Sequence, residues 1–351
     1  MRVGLLGAGR IGLFHASTLA QHPAVGDLLI ADADPARAHA AAQRLDGPAA
    51  VRAYDTVAQV LAAGPDAVVI AAASDAHAEL IGQAARLGLP TYCEKPIAVD
   101  LPGTLGALRE VEKGDTVLQV GFQRRFDAGH VAARRAYRSG ELGFVHTIRT
   151  VTADAEPPPP DYLPGSGGLF RDCLVHDFDA VRWVTGREVV RVYAAGANRG
   201  DASFAAAGDV DTAAVVLTLD DDTLVSCTGT RYNGAGYDVR MELGGSRAQI
   251  TVGLDERTPL SSAEPGARVG PRRPWPNFLA RFHDAYRAEL AAFLDVARGR
   301  APSPCTGQDA LEALLVAEAC ERSRALGGPV SVEGVRAAAL APGGRGREAS
   351  C

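Results

Sequence analysis

A chain of 351 residues has room for two domains and little else, at about 100 to 200 residues per domain. Hydrophobic residues at 47% and charged residues at 22% are the balance of a globular protein with a sizeable core, which excludes disorder as the main state. The net charge of −6 has the wrong sign for affinity built on phosphate neutralisation, so no nucleic acid is expected as a partner.

Six cysteines, Cys93, Cys173, Cys227, Cys305, Cys320 and Cys351, are scattered with no CxxC pair. Neither a disulfide framework nor a zinc ribbon is therefore expected, and a reducing compartment fits best. No apolar run approaches the roughly 18 residues that span a bilayer, so no membrane partner is expected and the chain reads as cytoplasmic.

Residues 1–121 alternate short apolar runs with longer amphipathic ones, the pattern of an α/β domain with a doubly wound parallel sheet. Strands are expected at Val3–Leu6, Leu28–Ala31, Ala67–Ala72, Thr91–Cys93 and Thr116–Val120. Asp34-Pro35 reads as an N-cap followed by proline at the first helical position, Ser74 as the cap of a later helix and Gly88 as its stop. Gly7-Ala8-Gly9-Arg10-Ile11-Gly12 follows the first strand and opens a helix, where glycines let backbone N–H groups approach a pyrophosphate. The second strand ends at Asp32, twenty residues after Gly12, where a carboxylate can accept from ribose hydroxyls and repel a 2′-phosphate. NAD is favoured over NADP on that ground, with Arg37 as the opposing sign.

Residues 122–336 read as a second, α+β domain. A helix near 127–139 and a strand near 144–153 precede the run Glu156-Pro157-Pro158-Pro159-Pro160, which can be neither helix nor inner strand and is expected to form a substrate-side loop. A helix over 168–185 stops before Gly186. Strands near 188–196, 210–219, 223–232, 237–243 and 247–253 follow, with turns at Asp220-Asp221-Asp222 and Gly244-Gly245, and point to an antiparallel sheet. Helices near 277–298 and 307–326 close the fold, and 337–351, rich in Gly, Arg and Ser, is expected to be a flexible tail.

Two segments carry chemistry. Glu94-Lys95-Pro96 follows a strand at the carboxyl edge of the sheet, where ligands bind, and an ammonium there can hydrogen-bond a substrate hydroxyl. In the helix over 168–185, about 100° per residue puts Asp172, His176 and Asp179 on one stripe, with Trp183 beside them. An imidazole made more basic by a carboxylate one turn away suits alcohol oxidation, whereas the bland alternative is a solvated polar face. No metal is expected, because His176 has no histidine partner on its helix.

Gly7 to Gly12, Glu94-Lys95-Pro96, Gly121-Phe122-Gln123-Arg124-Arg125-Phe126-Asp127 and Gly167-Gly168-Leu169-Phe170-Arg171-Asp172 through His176-Asp177-Phe178-Asp179 together resemble the Gfo/Idh/MocA oxidoreductases. The likeness runs from residue 2 to about 332 and is strongest to the inositol 2-dehydrogenase branch. It implies a Rossmann domain, a C-terminal domain whose open antiparallel sheet often forms the subunit interface, and hydride transfer between NAD(P) and a cyclitol or sugar-like polyol. A homodimer or homotetramer is expected. The resemblance maps Lys95, Asp172 and His176 onto catalytic positions, and Arg125 and Asp179 onto substrate hydroxyl contacts. In the implied mechanism His176 takes the hydroxyl proton, Asp172 orients the imidazole and Lys95 polarises the oxygen. Candidates for the cofactor are Gly7, Gly9, Arg10, Ile11, Gly12 and Asp32, then Ser74, His77, Glu94 and Lys95. Asp154, Tyr237 and His283 are added to Lys95, Arg125, Asp172, His176 and Asp179 as candidates for the substrate. Thr152-Ala153-Asp154 stands where the inositol-type loop usually reads Ser-Arg-Asp, which leaves the particular polyol open. The rival readings are a redox-neutral epimerase or glycosidase that retains NAD, and a non-catalytic NAD-responsive binding protein.

Overall fold

The structure, a computed structural model, describes residues 1–267 and 270–341. The chain forms two compact units: Met1–Phe126 with His283–Leu311, and Asp127–Phe282 with the chain from Glu312.

The first unit is built on six parallel strands, β1 (Arg2–Leu6), β2 (Asp27–Ala31), β3 (Ala50–Ala53), β4 (Ala67–Ile70), β5 (Thr91–Glu94) and β6 (Leu118–Gly121). Their order is β3-β2-β1-β4-β5-β6. Val3, Leu5, Leu28, Ile30, Val68 and Val69 are fully buried, the apolar continuity expected of strands covered on both faces. β3 has no apolar run to reveal it. It is an edge strand with one neighbour, half-exposed, and its pairing with β2 defines it. Asp34 caps the helix Pro35–Arg44 by accepting from the Ala36 N–H. Ser74 caps nothing: it opens a short 3-10 turn, Ser74–Ala76, and the helix His77–Arg86 starts after Ala76 without a side-chain cap.

The stretch expected as one helix over 277–298 is two, Phe278–Arg281 and His283–Ala297, parted at the buried Phe282. The longer one belongs to the first unit, not to a domain running 122–336, because Leu290, Phe293 and Leu294 share a buried cluster with Ala16, Leu19 and Tyr92. The segment after it stays there too, with the Val120 N–H donating to the Cys305 carbonyl.

The second unit carries seven strands, β7 (Val145–Ala153), β8 (Val189–Ala197), β9 (Thr212–Leu219), β10 (Leu224–Thr230), β11 (Asp238–Gly245), β12 (Gln249–Val252) and β13 (Val330–Ser331). Their order is β12-β11-β7-β10-β9-β8-β13. The sheet is mixed rather than wholly antiparallel, since β7 lies between β10 and β11 and runs parallel to β10. The reason is in the connections. β9 and β10 are joined by a tight turn with Asp222 at φ +64 and pair as a hairpin, whereas the turn at Asn233–Gly236 does not pair β10 with β11, because β7 occupies the edge between them.

The helix expected over 168–185 opens as a π-turn, Phe170–Leu174, and continues as an α-helix, Val175–Thr185, which stops at Gly186 with φ +67. At the far end, Ser331 caps a helix, Val332–Leu340, by accepting from the Gly334 N–H. The tail expected from 337 is therefore helical through Leu340, and 342–351 lie outside the described residues. Among the described residues no helix is long and apolar enough to cross a membrane.

Candidate active site

The glycine loop follows β1, and each glycine answers to a local constraint. Gly7 sits at φ +108, and a Cβ there would fall 2.4 Å from the Ala71 carbonyl oxygen. At Gly12 a Cβ would lie 2.1 Å from the Gly7 carbonyl oxygen, so the helix Arg10–Gln21 can approach the strand only if this position is bare. Gly9 differs, because a Cβ there meets nothing within 4 Å. Gly9 is also the N-cap, with no side-chain cap bond and no acidic residue in the first turn. Free approach and an uncapped helix N-terminus are what a pyrophosphate requires, so this loop fits a dinucleotide. Arg10 is exposed and Ile11 half-buried against the core. Asp32 closes β2, its Oδ2 accepting from the Ala8 N–H at 2.6 Å and its Oδ1 from the Asp34 N–H at 2.9 Å. Arg37 lies 3.7 Å from Asp34, an exposed pair one turn into the next helix.

Ser74 is half-buried after β4. His77, 1% exposed, faces carbonyls with both nitrogens: Nδ1 is 2.6 Å from the Pro96 oxygen and Nε2 is 3.1 Å from the Ala72 oxygen. It ties the Glu94-Lys95-Pro96 turn, whose Lys95–Pro96 peptide is cis, to the end of β4. Lys95 is half-buried.

Behind that turn stands a buried polar cluster that the sequence reading touches only at Glu94, a cofactor candidate whose side chain is taken up inside the first unit. His15 Nε2 lies 2.7 Å from Glu94 Oε1, and an ionised carboxylate only accepts, so Nε2 carries the hydrogen. The Tyr92 hydroxyl is 3.0 Å from both Glu94 Oε1 and Glu289 Oε2. Burial pushes the Glu94 carboxyl up, but His15, Tyr92 and the charge of Lys95 more than reverse it, and the group stays below the usual carboxylate range. Burial and the two carboxylates push the Tyr92 hydroxyl well above its ordinary value.

The second unit holds the other set. Asp177 and Asp179 are fully buried and Asp172 and His176 are half-buried, so the helix is not an amphipathic one with a solvated polar face. Asp177, which the helical stripe leaves unexplained, accepts from the Thr152 hydroxyl at 2.7 Å. Trp183 lies under the Arg134 guanidinium, 4.4 Å from its ring centroid, and this cation–π contact accounts for its half-burial. The π-turn widens the helix at Asp172, so an increment of 100° per residue does not carry through from Asp172 to His176. Asp172 has two partners that the stripe does not predict: Oδ2 accepts from Arg231 Nη2 at 2.7 Å and Oδ1 from the Tyr162 hydroxyl at 3.0 Å. Arg231 also donates from Nη1 to Asp154 Oδ2 at 3.0 Å and to Cys173 Sγ at 2.7 Å.

Asp154, Asp172 and Cys173 are thus brought together around Arg231, a residue absent from the sequence candidates. A signal for it exists: inward residues of β10 alternate as Val225, Cys227 and Gly229, and the same parity reaches Arg231, a charge on the buried face. Tyr162, after the proline run, has no such signal.

Arg125 and His283 lie in the first unit and Tyr237 in the second. Arg125 is 6% exposed and held by the Pro304 carbonyl at 2.9 Å and Asp309 at 3.2 Å, an anchor inside the first unit. Tyr237 is buried just before β11, its N–H donating to the Trp275 carbonyl. His283 is exposed at the start of the helix His283–Ala297, paired with Asp284 and edge-on to Phe14 at 5.3 Å, which puts it in the first unit. Among the described residues no group of three or more His, Cys, Asp or Glu is arranged to hold a metal ion.

Comparison with known proteins agrees across both units. A family described as "Oxidoreductase family, NAD-binding Rossmann fold" matches residues 1–122, and the GFO/IDH/MocA C-terminal domain matches residues 130–251. The chain is 41% identical to the myo-inositol dehydrogenase Hyg17 of Streptomyces leeuwenhoekii, over 93% of this chain and 98% of that one. A crystal structure of a myo-inositol dehydrogenase from Corynebacterium glutamicum superposes with a TM-score of 0.85 at 31% identity, covering 97% and 99% of the two chains. A scyllo-inositol dehydrogenase from Lactobacillus casei, solved with bound NAD(H) and scyllo-inositol, superposes at 0.82 with 26% identity, covering 95% and 99%.

Proposed function

The chain belongs to the Gfo/Idh/MocA oxidoreductases, and from that premise we propose that it is an inositol 2-dehydrogenase-like enzyme that oxidises a ring hydroxyl of a cyclitol. The observation that carries the reading is the likeness to inositol dehydrogenases over nearly the whole length of both chains. The bare Gly9 position and the uncapped helix N-terminus support NAD as its cofactor. When bound, NAD supplies the hydride acceptor.

The chain's own residues supply geometry and proton handling. Gly7, Gly9, Gly12 and Asp32 hold the dinucleotide, with Asp32 selecting against a 2′-phosphate. His176 takes the hydroxyl proton, Asp172 orients and stabilises the imidazolium, and Lys95 donates a hydrogen bond to the oxygen being oxidised. Asp179, a substrate contact by the family resemblance, and Asp154 contribute to substrate recognition. Arg125, a substrate contact by the family resemblance, and His77, a cofactor candidate, also anchor backbone carbonyls.

The reading extends to a homodimer or homotetramer in the cytoplasm. Five cysteines, Cys93, Cys173, Cys227, Cys305 and Cys320, are buried thiols, which supports a reducing compartment. The test is a panel of inositols, aldoses and deoxysugars assayed for NADH formation. Turnover with an inositol is expected to exceed turnover with every aldose or deoxysugar. Product formed without free NADH would replace dehydrogenation by a redox-neutral reaction.

A further inference from the structure

β7 and β10 run parallel with Ala153 opposite Thr230, so the next residues on each strand, Asp154 and Arg231, fall side by side on the buried face. Leu174 covers the same face, where a Cβ at Gly229 would come within 3.0 Å of its Cγ. Arg231, 3% exposed, is held there with its guanidinium against Asp154, Asp172 and Cys173. Arginine presents its donors in a fixed plane and keeps its charge at every working pH, so one guanidinium can hold two carboxylates at a set angle. Packing alone does not call for such a group, because apolar side chains of similar volume stabilise a core as well as a buried ion pair does.

We propose that Arg231 is a positioning residue for the oxidation: by bridging Asp154 and Asp172 it holds Asp172 as an oriented anion on the helix that carries His176. The inference rests on the assignment of Asp172 and His176 to the proton relay. Asp172 faces Arg231 from the sheet, with Asp154 on the same guanidinium, and Tyr162 from the loop before the helix. Arg231 is a permanent cation among these groups. Burial raises the Asp154 carboxyl, Arg231 opposes the rise, and the neighbouring Asp172 adds to it. Loss of the guanidinium leaves two carboxylates facing each other, and the His176–Asp172 pair then keeps its proton to higher pH.

The measurement is the pH dependence of kcat, using the polyol that gives the fastest NADH formation. Arg231→Gln is expected to move the acid limb up by about one pH unit or more. In the Arg231→Gln/Asp154→Asn double variant the limb should return towards the parent, because the opposing carboxylate is gone. A merely structural arginine would lower kcat at every pH and leave the limb in place. Should Arg231→Gln not fold, Asp154→Asn carries the test, with a limb expected to move down; a stationary limb overturns the inference. Asp172→Asn separates the two ideas. If it turns over at the parental rate the relay assignment falls and takes the inference with it, whereas an inactive Asp172→Asn beside an unmoved limb in Arg231→Gln overturns the inference alone.

Discussion

Asp172 and His176 are four residues apart, and the proposed relay makes them one working unit. Members of such a unit lose most of their effect together, so their losses should not add. His176→Ala and Asp172→Asn are each expected to lower kcat by roughly 10²-fold or more, with the double variant scarcely worse than His176→Ala. Steady-state rates alongside NAD binding by fluorescence titration check this, and full turnover in His176→Ala would move the base elsewhere. Asp32 offers a second test at this scale. Its carboxylate already accepts from the Ala8 and Asp34 N–H groups, which fixes its direction beside the glycine loop. NAD should be used at least about tenfold more efficiently than NADP, or about 1.4 kcal/mol, and Asp32→Ser should narrow that ratio. An unchanged ratio would mean that discrimination lies elsewhere.

The helix Ala128–Arg138 depends on a residue just outside it. Asp127 accepts from the His130 N–H at 3.2 Å, from His130 Nδ1 at 2.8 Å and from Arg281 Nη1 at 2.8 Å, so it caps the helix and ties it to the segment Phe278–Arg281. Burial raises its carboxyl, but His130 and Arg281 outweigh that and hold it far below the usual carboxylate range. A depressed carboxyl contributes stability that is full above about pH 4, the ordinary value, and is lost as pH falls towards its folded-state value. Asp127→Ala should cost about 1–3 kcal/mol at pH 7 by denaturant unfolding, and Asp127→Asn less, since the amide oxygen still caps. The gap between parent and Asp127→Asn should shrink as pH falls below about 4. A gap constant from pH 7 to pH 3 would count against an ionised Asp127 in the native state.

On the sheet of the second unit, the strand faces opposite the helix leave apolar side chains exposed. Tyr193, Val216 and Leu224 are 47%, 48% and 51% accessible, and Tyr193 and Val216 are direct cross-strand partners in β8 and β9. A patch of this kind is what an isologous dimer covers. Sedimentation at micromolar protein is expected to show a dimer or tetramer, and Val216→Asp to shift it towards smaller species. A parent protein that sediments only as a 36.5 kDa species would remove the oligomer from the proposal.

Apolar periodicity and turn chemistry are local properties, and what depends on them was legible in the chain: five of the six parallel strands, the glycine loop with Asp32 after it, the helix cap at Asp34, and the positions of β7 to β12. Pairing is another matter. The 231–237 connection is compatible with a hairpin by length, and only the competing strand β7, nearly eighty residues earlier, determines that β10 pairs with it in parallel. Charged groups follow the same rule. Arg231 reaches Asp172 across 59 positions and Tyr92 reaches Glu289 across 197, and each bond forms because folding removes both partners from water and a buried polar group must be hydrogen-bonded. Residues 283–311 join the first unit for a comparable reason: Leu290, Phe293 and Leu294 make an apolar helical face that any core could bury, and the tertiary structure selects the core that contains Ala16, Leu19 and Tyr92. The sequence by itself determined which segments are strand, helix and phosphate-type loop, because those follow from neighbours a few residues away; which buried charge meets which was decided only by contacts between distant segments.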